Sequence, residues 1–300
     1  MGPTRFTTTQ HPDFARYQAL LNVDPKHPHV HLVDMPFRFT STWQDHGCAV
    51  GTWERDDTIL AWALFQPPWG TLDHAFHPSV QGSTLEEEVF AWGHEQMIAH
   101  AQRTGQGFPG VIEIFENTPH VERTLAHVQE LGFEQLEENA LHFELDLGQT
   151  FPSRPLPEGY TVRPFAGEAE IQAYVDLVDA VFGPSWMSAA WRRRTPAHPA
   201  YLRELDLVAV HEESGLVGFC SAWHWHDVGQ IEPLGVHPDH RGKGLGRALE
   251  RAVIGAMQDQ GVRFLYVDHG TLNEKAKAVS RRNGFRQVNT ILRYGIEIRA

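Results

Sequence analysis

The chain has 300 residues with 38 acidic and 25 basic side chains, which gives a formal net charge of −13. Its length favours two domains, and 41% hydrophobic with 21% charged residues is typical of a globular protein. The negative charge argues against a nucleic-acid partner, because such a surface needs a basic stripe to neutralise phosphates.

The N-terminal segment MGPTRFTTTQ has no apolar stretch typical of a signal peptide, and no apolar run approaches the roughly 18 residues of a membrane span. Cys48 and Cys220 are the only cysteines, so we expect two reduced, buried thiols rather than a disulfide scaffold. These features predict a cytoplasmic protein without a membrane partner.

The first half of the chain shows a helical pattern that follows residues 76–85 and ends near Gly105. Strand-like runs come next, at residues 111–115 and 141–145. Residues 148–159 then hold three prolines and two glycines between apolar runs, which is typical of a linker. We therefore predict one domain over residues 1–150 and a second over residues 155–300.

The second half mixes strands and helices. A first strand is predicted at 160–163, a helix over 171–182, and a hairpin at 205–225 with its turn at 212–215. Arg192–Arg194 is expected to lie on a solvated face, whereas Trp186, Met187 and Trp191 could form a wall of an acceptor site or the core of a short helix. The mixture predicts an α/β fold, with a mixed sheet covered by helices.

The next strand-like run, residues 228–236, contains Pro233, which cannot donate to a ladder and should disrupt or splay the strand on one side. Simple alternation places five residues on one face of this strand. They are Val228, Gln230, Glu232, Leu234 and Val236.

A loop with three glycines follows this strand and leads into a helix over about residues 245–257. Gly242, Gly244 and Gly246 allow close backbone approach, and the helix N-terminus adds unpaired N–H groups and a positive dipole end. The loop is therefore predicted to hold a phosphate group. Its spacing matches neither a P-loop nor a dinucleotide-binding fingerprint.

The two halves repeat one another weakly. Four residues are identical in the aligned segments: His77, Pro78, Gly82 and Leu85 in the first half, and His237, Pro238, Gly242 and Leu245 in the second. The first copy keeps one glycine of the three, and Glu86–Glu88 follow at once, where carboxylates would repel a pyrophosphate. We predict a tandem repeat whose first copy is non-catalytic and shapes the second; a second ligand site that does not use pyrophosphate is the alternative.

The loop Arg241-Gly-Lys-Gly-Leu-Gly246 resembles the acyl-CoA signature of the GNAT superfamily of N-acyltransferases. Downstream, Asn273, Ala276 and Gly284-Phe285 match the second motif of that family, whereas Ser280 stands where the family has a tyrosine. The resemblance implies two tandem GNAT-like domains, the first degenerate. Each would be a mixed, largely antiparallel sheet with helices on both faces.

The same resemblance implies that acetyl-CoA is the acyl donor. The backbone amides of residues 242–247 are expected to bind its pyrophosphate, and the backbone of the preceding strand to pair with its pantetheine. Asn273 could contact the pantetheine, cap a helix, or do both. The expected binding residues are Leu234, Val236, Arg241, Gly242, Lys243, Gly244, Leu245, Gly246, Arg247 and Asn273.

Two carboxylates are candidates for the base that deprotonates an acceptor amine. Glu232 lies on the strand before the loop, and Asp268 follows the next strand. For the acid, Ser280 is poor at neutral pH, so Tyr266, Tyr294 or water could substitute. No metal site is expected, because the sequence has neither a cysteine cluster nor H-E-x-x-H spacing.

These residues favour an N-acetyltransferase that moves an acetyl group from acetyl-CoA to a small-molecule or peptide amine. Attack is expected to be direct, in a ternary complex, since no cysteine is placed to carry the acyl group. A non-catalytic acyl-CoA-binding or scaffold protein and an O-acyltransferase on the same fold are the alternatives. The chain is expected to be a monomer or homodimer.

Overall fold

The computed structural model describes residues 3–23, 29–151, 155–184 and 186–300. The predicted linker falls partly outside these ranges, at residues 152–154. The strands within the described ranges are β1 (Arg5–Thr9), β2 (Val50–Arg55), β3 (Thr58–Gln66), β4 (Thr71–Phe76), β5 (Phe108–Phe115), β6 (Glu134–Gln135), β7 (Ala140–Asp146), β8 (Tyr160–Pro164), β9 (Asp206–His211), β10 (Gly215–Trp225), β11 (Val228–Val236), β12 (Phe264–Gly270) and β13 (Arg286–Ile298). The α-helices in the same part of the chain are α1 (Phe14–Gln18), α2 (Met35–Phe39), α3 (Thr84–Thr104), α4 (Val121–Glu130), α5 (Ile171–Phe182), α6 (Ala189–Arg194), α7 (Leu245–Asp259) and α8 (Glu274–Asn283). None of the helices in the described ranges is long and apolar enough to cross a membrane.

The chain forms two compact units. The first contains residues 1–35, 41–141 and 289–300, and the second contains residues 36–40 and 142–288. This division differs from the predicted domains of 1–150 and 155–300 at residues 36–40 and at the last strand of each half. Most of β7 belongs to the second unit, where it lies beside β12, and the end of β13 belongs to the first, where Ile291–Ile298 pair with β5. Strand partners of this kind depend on long-range pairing, which local sequence patterns do not encode.

In the first unit the strand order is β1-β2-β3-β4-β5-β13. All neighbours are antiparallel except β4 and β5, which run parallel. The long helix α3 follows β4. It begins where the Ser83 hydroxyl accepts the N–H of Leu85, and it ends at Gly105, whose φ of +67° closes the last turn.

In the second unit the order is β8-β9-β10-β11-β12-β7. Here the neighbouring strands among β8, β9, β10 and β11 pair antiparallel, and β11 and β12 run parallel. Helices cover both faces: a side chain added at Gly229 would meet Met257 of α7, and one added at Gly235 would meet Val181 of α5. The predicted fold class, a mixed sheet with helices on both faces, is therefore confirmed.

The register between β10 and β11 shifts at Pro233. Cys220 pairs with Leu234 and Ala222 pairs with Ile231, so β11 carries one extra residue between these pairs. This bulge confirms the predicted disruption at Pro233. It also shows that the predicted single face was wrong, because the extra residue places Val228 and Gln230 on the face opposite to Leu234 and Val236.

The core of the second unit contains a buried cation. Arg192 is 1% exposed, and its guanidinium lies 3.9 Å and 4.0 Å from the ring centres of Phe165 and Tyr174. It donates to the Asp206 carboxylate at 2.5 Å. The predicted solvated face is therefore wrong for Arg192. Its neighbour Arg193 does lie at the surface.

Candidate functional site

The parallel strands β11 and β12 separate partway along their length. Their registered pairs run from Val228 with Phe264 to Ile231 with Val267, yet β11 continues to Val236 and β12 to Gly270. A gap therefore opens between the strands, and a bound molecule could pair with the backbone of residues 232–236 as an added strand. Glu232 and Asp268, the two predicted base candidates, are the first residues beyond the last pair on their strands.

The glycine loop lies beyond the end of β11, where the backbone of Leu234 and Val236 borders this gap. Gly242 and Gly244 adopt φ angles of +80° and +85°, and a Cβ added at either would meet no atom within 4 Å. Gly244 is the N-cap of α7, so no side chain caps the helix, and its first turn has no acidic residue. The N-terminus of α7 therefore offers unpaired N–H groups, a positive dipole end and open space, which are what a phosphate site requires.

Three cationic side chains of the loop and the first turn of α7 are held by neighbours in the second unit. Arg241 donates from Nε to the Val236 carbonyl at 3.0 Å, and Lys243 donates to the Tyr160 hydroxyl at 2.9 Å. Arg247, in the first turn of α7, donates to the Asn283 side chain at 3.2 Å. These contacts fix three positive charges around the cradle.

The other predicted binding residues have local structural roles. Leu245 begins α7 and is 1% exposed, while a Cβ added at Gly246 would lie 3.7 Å from the Val236 side chain. Asn273 is exposed and caps α8, because its Oδ1 accepts the Ala276 N–H at 3.1 Å. The capping role is thus observed, and contact with pantetheine stays a prediction.

The matching positions of the first unit are filled by the protein itself. The Glu86 carboxylate accepts the N–H of Gly82 and the Thr124 hydroxyl, and a Cβ added at Gly82 would lie 2.7 Å from His120. On the edge of β4, Nε2 of His29 lies 2.9 Å from the Phe76 carbonyl oxygen and 3.1 Å from the Phe76 nitrogen. Side chains therefore occupy both the cradle and the strand edge that are open in the second unit.

Asp268 has two partners at the closed end of the gap. His142 of β7 places Nδ1 2.6 Å from Oδ1, and Gln230 of β11 donates to Oδ2 at 3.0 Å. The ring of His142 also stacks on Tyr266 with centroids 4.7 Å apart. The sequence predictions missed His142, because it precedes the predicted linker and only strand pairing brings it to the second unit.

Ser280, at the position where the resembled family has a tyrosine, is fully buried in a chain of hydrogen bonds. Its hydroxyl donates to Glu250 at 2.5 Å and lies 2.8 Å from Nε2 of His269. Asn283 also donates to the Glu250 carboxylate. Burial raises the pKa of Glu250 to about 7 and lowers the pKa of His269 to about 4.

Neither cysteine is suited to nucleophilic catalysis. Cys220 is 0% exposed and burial raises its pKa well above its usual value, while burial raises the pKa of Cys48 to about 11. A thiol in such surroundings forms little thiolate at neutral pH. Within the described ranges, no group of three or more His, Cys, Asp or Glu side chains could hold a metal ion.

Aromatic side chains pack together beyond α5. Phe37 of α2 stacks on Trp186, and Trp186 stacks on Trp191, with centroids 6.1 Å and 5.6 Å apart. Trp191 and Met187 are buried, so they belong to the core of this region, whereas Trp186 is partly exposed. Trp223 completes the group and donates from its indole N–H to the Glu232 carbonyl at 3.0 Å. The aromatic group therefore reaches the bulge that carries Glu232.

Comparisons with known proteins identify a family and several relatives that resemble this chain. Residues 171–285 match the family described as Acetyltransferase (GNAT) family. The mycothiol acetyltransferase of Paenarthrobacter aurescens is 33% identical over 160 residues, which are 48% of this chain and 48% of that protein. The enzyme of the same name from Renibacterium salmoninarum is 26% identical over 220 residues, 68% of this chain and 61% of that protein. The chain thus spans about half to three fifths of the length of these relatives.

Two solved structures share the fold over nearly the whole chain. A GCN5-related N-acetyltransferase from Sphaerobacter thermophilus aligns with a TM-score of 0.67 and 21% identity, over 99% of this chain and 97% of that one. A tandem GNAT protein from the clavulanic acid biosynthesis pathway aligns with a TM-score of 0.71 and 16% identity, over 99% of each chain. These matches confirm the resemblance to tandem GNAT proteins that the sequence indicated.

Proposed function

Since residues 171–285 match the GNAT acetyltransferase family, we propose that this chain transfers an acetyl group from acetyl-CoA to an amine. One observation carries the proposal. The gap between β11 and β12 ends at two carboxylates, Glu232 and Asp268, and an open phosphate cradle follows β11.

The donor would be held mainly by backbone groups. The amides of residues 242–247 would bind the pyrophosphate, with Arg241, Lys243 and Arg247 adding positive charge. Pantetheine would pair with the backbone of Leu234 and Val236, beside the gap. In that position the donor supplies an acetyl thioester near the carboxylates.

The transfer is proposed to be direct. An acceptor ammonium first loses a proton to one of the two carboxylates, which leaves a neutral amine. The amine nitrogen then attacks the thioester carbonyl, the C–S bond breaks, and its electron pair leaves with the CoA sulfur. The second proton of the nitrogen neutralises the thiolate, directly or through water. The buried Cys220 cannot carry the acetyl group, so no covalent enzyme intermediate is expected.

The proposed acceptor is a primary amine on a small molecule, with a peptide amine as the alternative. The name of the curated relatives supports a small-molecule acceptor connected with mycothiol. The first unit would then be a non-catalytic partner of the second, since its own cradle is filled by Glu86. No metal is proposed to take part.

A second candidate function is acyl-CoA binding without transfer. Ser280 favours it, because this side chain is 0% exposed and donates its proton to Glu250 rather than to the gap. A serine hydroxyl in this state is a poor acid for a departing thiolate. The CoA thiolate can, however, leave without protonation by a strong acid, so the position of Ser280 does not rule out transfer.

The two functions separate in one experiment. The purified chain is incubated with acetyl-CoA and a panel of primary amines that includes the acceptor of mycothiol acetyltransferases. We expect release of free CoA and a product heavier by one acetyl group, with one donor site per chain by calorimetry. One-to-one binding with no transfer to any amine would favour the second function, and absence of binding would contradict both.

A further inference from the structure

His142 stands out among the residues that local sequence patterns did not connect with the site. It is the third residue of β7, and its side chain is 7% exposed. Its Nδ1 lies 2.6 Å from the Asp268 carboxylate, which is a short contact for a nitrogen donor and an ionised acceptor. Because a carboxylate only accepts, His142 donates its Nδ1–H.

Asp268 is held from two directions at once. His142 occupies one carboxylate oxygen and the Gln230 amide occupies the other. An ionised carboxylate has about four lone-pair sites, so each oxygen keeps one further site for an incoming proton. The side chain of Asp268 is 14% exposed, which leaves it in reach of a small molecule. Its orientation is fixed while its ability to accept a proton remains.

The position of the pair connects it with the gap. Asp268 is the first residue of β12 beyond Val267, which forms the last pair with β11. Gln230 lies one residue before Ile231 on the other strand of the same pair. The three side chains therefore surround the point where β11 and β12 separate, and where the thioester of the proposed reaction would meet the amine.

From this geometry we propose that Asp268 is the base that accepts the proton of the acceptor amine and that His142 is its positioning residue. The assignment rests on the proposed acetyl transfer. The ammonium N–H bond breaks, its proton moves to the free site of an Asp268 oxygen, and its electron pair stays on nitrogen for attack on the thioester. His142 keeps the carboxylate aimed through its hydrogen bond to one oxygen, and it is supplied by the first half of the sequence.

Other titratable groups pack around the pair. On β12, Tyr266 stacks on the His142 ring and donates to Glu144 of β7 at 3.3 Å, and His269 follows Asp268 directly. Arg286 of β13 pairs with Glu144 at 2.6 Å. Glu144 thus lies on the same strand as His142 but bonds to Tyr266 and Arg286, which makes it a matched control.

The test compares four variants for turnover and for acetyl-CoA binding. Asp268→Asn should lower kcat by roughly 10²–10⁴-fold and leave donor affinity unchanged. His142→Leu should lower kcat by roughly 10–10²-fold through a misplaced carboxylate, again without a change in donor affinity. The acidic limb of the pH–rate profile of His142→Leu should move to higher pH, because the ionised Asp268 carboxylate loses a hydrogen bond in this variant.

The remaining two variants separate positioning from packing. His142→Asn puts an amide donor near the place of Nδ1 and should recover most of the turnover, with the acidic limb back near its original pH. Glu144→Gln should leave kcat and the pH profile as they are. A His142→Leu protein with normal kcat and an unshifted pH profile would overturn the role of His142.

Three further results, one of which uses Glu232→Gln as a fifth variant, would contradict the assignment of the base. Full turnover in Asp268→Asn with a large loss in Glu232→Gln would move that role to Glu232. A wild-type chain that binds acetyl-CoA but acetylates no amine would instead show that the proposed function fails, and the assignment would fall with it. Normal turnover in the wild type and in the Asp268 and His142 variants would reject the assignment of the base and leave the proposed function standing.

Discussion

At the residue scale, Arg192 is held in the core by its pairing with Asp206. Arg192→Ala would leave that carboxylate buried without its cation, so we expect a loss of about 3–5 kcal/mol in the free energy of unfolding. Arg193→Ala removes only an exposed pair with Glu168, and it should cost less than about 1 kcal/mol. Urea unfolding of both variants measures the difference. Equal losses in the free energy of unfolding would show that the buried pair of Arg192 and Asp206 stabilises the fold no more than the exposed pair of Arg193 and Glu168 does.

A second prediction at the residue scale is that Gly244 is needed for binding of acetyl-CoA. Gly244→Glu would place a carboxylate at the N-terminus of α7, where it competes with the pyrophosphate for the same N–H groups. Acetyl-CoA at about 100 times Kd should stabilise the wild-type chain by about 2.7 kcal/mol, and the variant should lose this effect. Gly255→Glu is the control, because Gly255 is exposed on the same helix with no atom within 4 Å of an added Cβ.

A thermal-shift titration of the three proteins provides the measurement. The wild type and Gly255→Glu should show the same ligand-induced shift, and Gly244→Glu should show none. A full shift in Gly244→Glu would mean that the cradle at α7 does not hold the donor.

At the element scale, a chain of buried hydrogen bonds joins α7, β12 and α8 through Glu250, Ser280 and His269. Burial raises the pKa of Glu250 from 4.5 to about 7, so the folded state holds a proton that the unfolded state has released between these values. Its contribution to the free energy of unfolding therefore falls as pH rises from about 4.5 to about 7. The lost stability reaches roughly 3 kcal/mol at most.

Glu250→Gln cannot ionise, so the variant should lack this contribution. Unfolding free energies of both proteins at pH 5 and pH 8 test this: the wild type should lose more stability on going to pH 8 than the variant does. Glu274→Gln serves as the control, since Glu274 is exposed and its pKa is lowered by Lys277. The same pH dependence in wild type and Glu250→Gln would refute the assignment.

The same elements show what the sequence could predict. The glycine loop, the cap at Asn273 and the disruption at Pro233 depend on neighbouring residues, and all three are visible in local patterns. The bulge made the predicted face of β11 wrong, because side chains no longer alternate regularly between the two faces of the sheet once a strand contains one extra residue. The contact between His142 and Asp268 depends on two strands 126 positions apart along the chain, and no local pattern encodes it.

At the scale of the whole molecule, the composition of the units changes what a fragment can do. The second unit needs residues 36–40, which supply Phe37 and Thr40, and residues 142–146, which lie beside β12. The Thr40 hydroxyl accepts the indole N–H of Trp191 at 3.2 Å, so removing this segment would take a hydrogen-bond partner from a buried donor. A domain boundary drawn at the predicted linker would separate both segments from the rest of the second unit.

We therefore expect a fragment of residues 155–300 to be deficient. It retains the cradle but lacks His142, the strand beside β12 and the α2 segment that packs on Trp191. Apolar surface exposed in this way should bind a hydrophobic dye and promote association. A fragment of residues 140–300 restores β7 and should be more stable and bind acetyl-CoA more tightly, while full turnover should require the intact chain.

Chromatography, dye binding and turnover of the two fragments and the full chain measure this order. If residues 155–300 stay monomeric and acetylate the acceptor at the full rate, then neither β7 nor the α2 segment contributes to the site, and the role proposed for His142 is wrong as well.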